Sequence, residues 1–60
     1  MQMERNVEIK TYTLEGIHQL AEEMERYMKE SGKIAISVSH HAQRSAQGTH
    51  IKAIVIYEEI

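Results

Sequence analysis

Ile51-Lys52-Ala53-Ile54-Val55-Ile56-Tyr57 is the stretch that decides the fold. β-Branched and aromatic residues dominate it, and these suit strands. Its two alternating faces are both apolar: Ile51, Ala53, Val55 and Tyr57 on one, Ile54 and Ile56 on the other. A strand buried on both sides reads this way, so this one belongs in the centre of a sheet.

Upstream, Ile34-Ala35-Ile36-Ser37-Val38-Ser39 alternates as a second strand. Its heavy face is Ile34, Ile36 and Val38, and its small face is Ala35, Ser37 and Ser39. The segment Ser39–His50 connects the two strands. Gly48, in Gln47-Gly48-Thr49, is the tight-turn residue. Extension of either strand into this segment would shorten the loop. Near the N-terminus, Val7-Glu8-Ile9-Lys10-Thr11-Tyr12 alternates as well, with Val7, Ile9 and Thr11 on one face and Glu8, Lys10 and Tyr12 on the other.

Between the first two strands, Leu14 to Ser31 carries helical spacing. Leu14, Ile17, Leu20, Ala21, Met24 and Met28 make one apolar stripe, flanked by His18 and Tyr27. Thr13 is the expected N-cap, and Gly32 suits the position just past the C-terminus. Glu22–Arg26 and Glu25–Lys29 are favourable i,i+4 pairs. Met24 and Met28 read as core filler.

The reading is therefore one α+β domain over residues 1–60, in the order β-α-β-β. A right-handed crossover makes strands one and two parallel. Strand three then lies between them and antiparallel to both, giving a three-stranded sheet of order 1-3-2 with the amphipathic helix on one face. The other face would expose Ala35, Ser37 and Ser39 with either Ile54 and Ile56 or Ala53, Val55 and Tyr57, because a one-residue slip exchanges the sets. A leftover apolar face marks an interaction surface. The expectation is a homodimer or higher oligomer, with Ala35, Ser37, Ser39, Ile54 and Ile56 at the interface.

Composition narrows the rest. A 60-residue chain has a small core and is marginally stable alone. With no Cys, disulfides and thiolate metal sites are excluded. No run approaches the ~18 apolar residues of a membrane span. Met1–Lys10 holds Glu4, Arg5 and Glu8 and no apolar signal core, so the expectation is a cytoplasmic protein. The formal charge is −2, and it is unevenly placed: −3 between Thr13 and Gly32, and +1 over the remainder. A nucleic-acid binder shows Lys and Arg clustered on a basic domain, which argues against that class.

Three segments carry a family resemblance: the Leu14–Glu30 helix, the Lys33–Ser39 strand and the closing Ile54-Val55-Ile56-Tyr57-Glu58-Glu59. Together they resemble the small sigma-E-controlled sporulation proteins of Firmicutes and their phage-encoded relatives, which share this length and order of elements. The resemblance covers nearly the whole chain, and its most specific part is the terminal apolar-Ile-Tyr-Glu-Glu. The Ser39–His50 segment departs from the family pattern. No activity is established for the family, so the resemblance implies a setting, a spore-former or its phage, and no mechanism.

That departing segment holds the candidate site. His40, His41, Gln43, Arg44, Ser45, Gln47, Thr49 and His50 concentrate hydrogen-bond donors, and no carboxylate lies among them. Arg forks onto phosphate or carboxylate, and neutral donors complete such a shell. A solvated polar loop has a similar composition. The functional reading is a non-enzymatic oligomeric protein that holds a small anionic ligand such as a signalling nucleotide, two hairpins lining one pocket. If phage-encoded, it would act against host defence. The rival is a protein–protein module, a sporulation factor or an inhibitor of a host protein, using the free sheet face or the acidic helix.

Other chemistries fit less well. His40 and His50 would face each other across the hairpin, but a zinc site wants three or four ligands. No metal or cofactor is therefore assigned. Catalysis needs a group to orient a His and an enclosed pocket, and the chain offers neither in sequence. Tyr12, Tyr27 and Tyr57 read as packing aromatics before they read as a stacking platform.

Overall fold

A computed structural model of the chain describes residues 6–60. Glu4 and Arg5, part of the N-terminal charge reading, lie outside the described residues. The elements are β1 (Val7–Leu14), α1 (Ile17–Ser31), β2 (Lys33–Ser45) and β3 (Gly48–Glu59). The sheet has the order β1-β3-β2, and β3 runs antiparallel to both neighbours. This is the α+β, β-α-β-β architecture with strand three central. No helix among the described residues is long and apolar enough to cross a membrane.

The central strand supplies the core. Ala53, Val55 and Tyr57 are fully buried, and Leu14 and Leu20 join them. Tyr12, Met24, Tyr27, Met28, Ala35 and Ile51 pack around this cluster. The helix therefore covers the face that carries Ile51, Ala53, Val55 and Tyr57. Lys52, Ile54, Ile56 and Glu58 point the other way by alternation.

The helix begins later than its apolar stripe suggests. Leu14 is not its first residue: it ends β1, opposite Ile51. The N-cap is Gly16, extended at φ −151°, in place of Thr13. Pairing Leu14 with β3 satisfies its backbone and buries its side chain, which one more helical turn would not do. The Gln19 side chain accepts hydrogen bonds from the Glu15 N–H (2.8 Å) and the Gly16 N–H (3.4 Å), completing one arm of a capping box. Gly32 closes the helix in the left-handed region (φ 76°) and donates its N–H to Met28 O at 2.9 Å. On the outer surface Arg26 pairs with Glu23 (3.0 Å) where the spacing suggested Glu22, and Lys29 pairs with Glu25 (3.7 Å).

β2 is not a regular alternating strand. Ala35 faces Tyr57 and Ser37 faces Ile56, so Ile36 is an extra residue in a bulge. The bulge splits the faces that strict alternation assigns. Ala35 lies on the helix side, while Ser37 and Ser39 lie on the open side with Ile56 and Ile54. Ile34 is on the open side opposite Glu58, and Val38 is on the helix side opposite Val55. The expected grouping of Ala35 with Ser37 and Ser39 is corrected accordingly. Without the bulge, Ser37 would sit against buried Val55, where Val38 is the better neighbour.

β1 turns its polar face inward. Glu8, Lys10 and Tyr12 lie opposite Tyr57, Val55 and Ala53, under the helix. Tyr27 donates to Glu8 Oε1, and Lys33 Nζ donates to the same oxygen at 3.1 Å. The Tyr27 bond and then the Lys33 bond hold the Glu8 carboxyl below its ordinary value. The bond to Glu8 raises Tyr27 and Lys33 in turn. Lys10 Nζ sits 4.0 Å from the Tyr27 ring centroid. The Tyr27 and Tyr57 rings are 4.7 Å apart and tilted by 60°. Tyr12 Oη and Tyr57 Oη share a hydrogen bond of 2.8 Å. Burial first, and that bond second, push the Tyr57 hydroxyl well above its usual range. The three tyrosines thus hold the helix to the sheet.

Candidate functional site

The connection between β2 and β3 is a two-residue turn, Ala46-Gln47, and not a loop from Ser39 to His50. Both strands run to the turn, pairing Ser45 with Gly48. Gly48 takes φ 127°, and no other residue around the turn has positive φ. Ser45 Oγ accepts from the Gln47 N–H (3.2 Å) and donates to Gly48 O (3.3 Å), which fixes the turn. The result is a β-ribbon arm. β1 accompanies β3 only as far as Ile51, so residues 43–50 project as two strands alone. The Cα trace extends 50 Å along its longest axis and 11 Å along its shortest.

The arm separates the expected ligand residues onto two faces. His40, Arg44 and Thr49 lie on the helix side, with Arg44 directly opposite Thr49. His41, Gln43, Ser45 and His50 lie on the open side, and Gln47 is in the turn. His40 and His50 do not face each other: His40 pairs with Ala53 and His50 with Gln43. The turn sets this register, since pairing Ser45 with Gly48 places every later pair. Among the described residues no three of His, Asp and Glu converge as a metal site.

The same register brings three of the expected residues together with one that the sequence did not single out, Lys52. His41 pairs with Lys52, and Gln43 pairs with His50, on adjacent steps of the open face. Side chains directly opposite on one face stand about 5 Å apart at Cβ. In the sequence, Lys52 reads only as part of the core strand. The signal was present: with Ala46-Gln47 as the turn, Lys52 falls opposite His41. No Asp or Glu occurs between Glu30 and Glu58, so both strands of the arm lack carboxylates; on β1, Glu15 follows Leu14, which pairs with Ile51 at the base of the arm. All four side chains donate hydrogen bonds and Lys52 adds full charge, the donor set of an anion site.

A surface hollow on the outside of α1 is bounded by Glu22, Glu25, Arg26 and Lys29. Its charges are of both signs and Lys29 already pairs with Glu25, so it presents no selective chemistry. Comparisons with protein-family models, with curated proteins and with solved structures find no match to this chain.

Proposed function

We propose that the chain is a non-enzymatic binding protein that holds a small phosphate-bearing ligand, such as a signalling nucleotide, at the base of its β-ribbon arm. One observation carries this reading: His41, Lys52, Gln43 and His50 occupy consecutive cross-strand pairs on one face of a segment without carboxylates. Lys52 supplies a point charge and the other three supply neutral donors around it. The resemblance to sporulation proteins and their phage relatives gives a setting in which a small binder that removes a host signal has a use.

Calorimetric titration with inorganic pyrophosphate and a panel of cyclic dinucleotides tests the reading. Binding is expected, and Lys52→Ala should weaken it at least about tenfold, a loss of the size expected for a charge-assisted contact. Arg44→Ala, on the opposite face, should change it little. No heat from any ligand, or a loss confined to Arg44→Ala, would remove this site.

A second reading is favoured by a different observation. Val7, Ile9, Ile34 and Ile54 stand exposed on the open face, as in a module that docks on another protein. Its mark is a stoichiometric host protein that Ile54→Glu releases and Lys52→Ala does not.

A further inference from the structure

The open sheet face has an apolar end and a donor end. Val7, Ile9, Ile34, Ile54 and Ile56 fill the first, and His41, Gln43, His50 and Lys52 fill the second. Ile9 is 65% exposed and Val7 51%. The chain presents 4837 Å² of surface at 7.0 kDa, against about 4,000 Å² for an ordinary folded monomer of that mass. The excess of roughly 800 Å² is shared by the arm, which is exposed on both faces, and by the open sheet face; a standard interface takes about 800 Å² from each partner.

We propose that a second copy of this chain covers the open face, related by a two-fold axis running along β3, so that the two donor ends meet and form one anion site between the copies. Two identical sheets can stack face to face in two symmetric ways. With strands running the same way, Ile54 and Ile56 lie over their own counterparts. Val7 then lies over the partner's Ile34, and Ile9 over the partner's Ser37. With strands running opposite ways about an axis at Val55, Val7 and Ile34 would instead lie over the partner's Thr13 and the partner's His41. Burial of apolar surface against apolar surface drives association, and the first stacking buries the whole apolar end against itself while the sheets overlap along their full length. The short side chains of Ser37 and Ser39 beside Ile54 and Ile56 allow sheets to approach to about 10 Å.

The first stacking also sets Lys52 beside its counterpart. Those like charges repel until an anion lies between them. The site is then incomplete without the second copy, because a single open face gives no enclosure. What fills the cleft rests on the function proposed above; the stacking rests on the apolar end alone, so the two can fail separately.

The chain has no Cys, so Gln47→Cys takes a single spin label at the arm tip. With strands stacked the same way, the two labels should lie within about 25 Å; stacked oppositely about Val55, they would stand roughly 53 Å apart, counting ~3.3 Å per residue from Val55 out to Gln47 in each copy. Sedimentation should give a dimer whose Kd rises at least about tenfold in Ile54→Glu, with the circular dichroism spectrum kept because Ile54 is exposed in the single chain. Inorganic pyrophosphate should lower the dimer Kd, since a ligand held by both copies stabilises their association. A long label distance, a monomer at micromolar concentration or a dimer indifferent to Ile54→Glu overturns the stacking. A short distance with a dimer Kd indifferent to pyrophosphate overturns the shared site.

Discussion

Tyr12 and Tyr57 share one hydrogen bond, and the two ends of that bond differ in burial. Tyr57 is fully buried and Tyr12 is half-buried. Tyr57→Phe leaves the Tyr12 hydroxyl near enough to solvent to find water, so its cost is that of a net hydrogen bond, about 1 kcal/mol. Tyr12→Phe strands the Tyr57 hydroxyl in the interior, which costs about 1–3 kcal/mol. The double variant removes both hydroxyls and leaves nothing unsatisfied. It should be more stable than Tyr12→Phe alone, with a coupling energy of about 1–2 kcal/mol. A 60-residue chain has only about 3–9 kcal/mol of total stability, so these effects are large. Urea unfolding of the four proteins measures them; with m near 1 kcal/mol per molar, Tyr12→Phe should lower the midpoint by about 2 M. Protein concentration is held constant, because association adds to apparent stability. Additive single variants, or a Tyr57→Phe more costly than Tyr12→Phe, would refute the reasoning.

Two further outcomes follow from the fold. Deleting Ile36 removes the bulge residue and leaves both flanking registers intact, so stability should change by no more than about 1 kcal/mol. Deleting Val38 also closes the bulge, but it sets Ser37 in place of Val38 against buried Val55 and so should cost more than deleting Ile36; equal effects of the two deletions would contradict the bulge. Glu8 has a lowered pKa in the folded chain, so its contribution is present above the ordinary value of 4.5 and is lost as pH falls through the lower folded value. Lys33 has a raised pKa, so its contribution is full below 10.5 and is lost only as pH rises beyond it. The stability difference between the wild type and Glu8→Gln, followed by thermal unfolding, should be largest near neutrality and shrink below about pH 4.5. A difference that is constant with pH would show that Glu8 acts through packing alone.

Which elements exist, and in what order, could be read from residue pattern. Ile51–Tyr57 is apolar on both faces because it lies between two strands and beneath a helix, and that placed it at the centre. The stripe of Leu20, Met24 and Met28 marked the helix, and Gly32 marked its end, because only glycine takes that left-handed turn without strain. The full length of the hairpin was not legible. Ser39 to His50 is exposed on both faces for almost all of its length, so no burial pattern imprints alternation on it. What makes it a ribbon is backbone pairing, which polar side chains do not announce.

The candidate site divides in the same way. The sequence by itself determined that the arm would be rich in donors and free of carboxylates, since both are properties of composition. Only the tertiary structure decided which donors stand together. The two-residue turn fixed the register and brought Lys52 to His41, and the alternation of the strands sent Arg44 to the other face. The bulge at Ile36 decided which side of β2 meets the helix. The inward turn of Glu8 and Lys10, stabilised by Tyr27 and Lys33, left Val7 and Ile9 facing out. Faces follow from register, and register is a property of two strands at once, so one strand read alone cannot contain it.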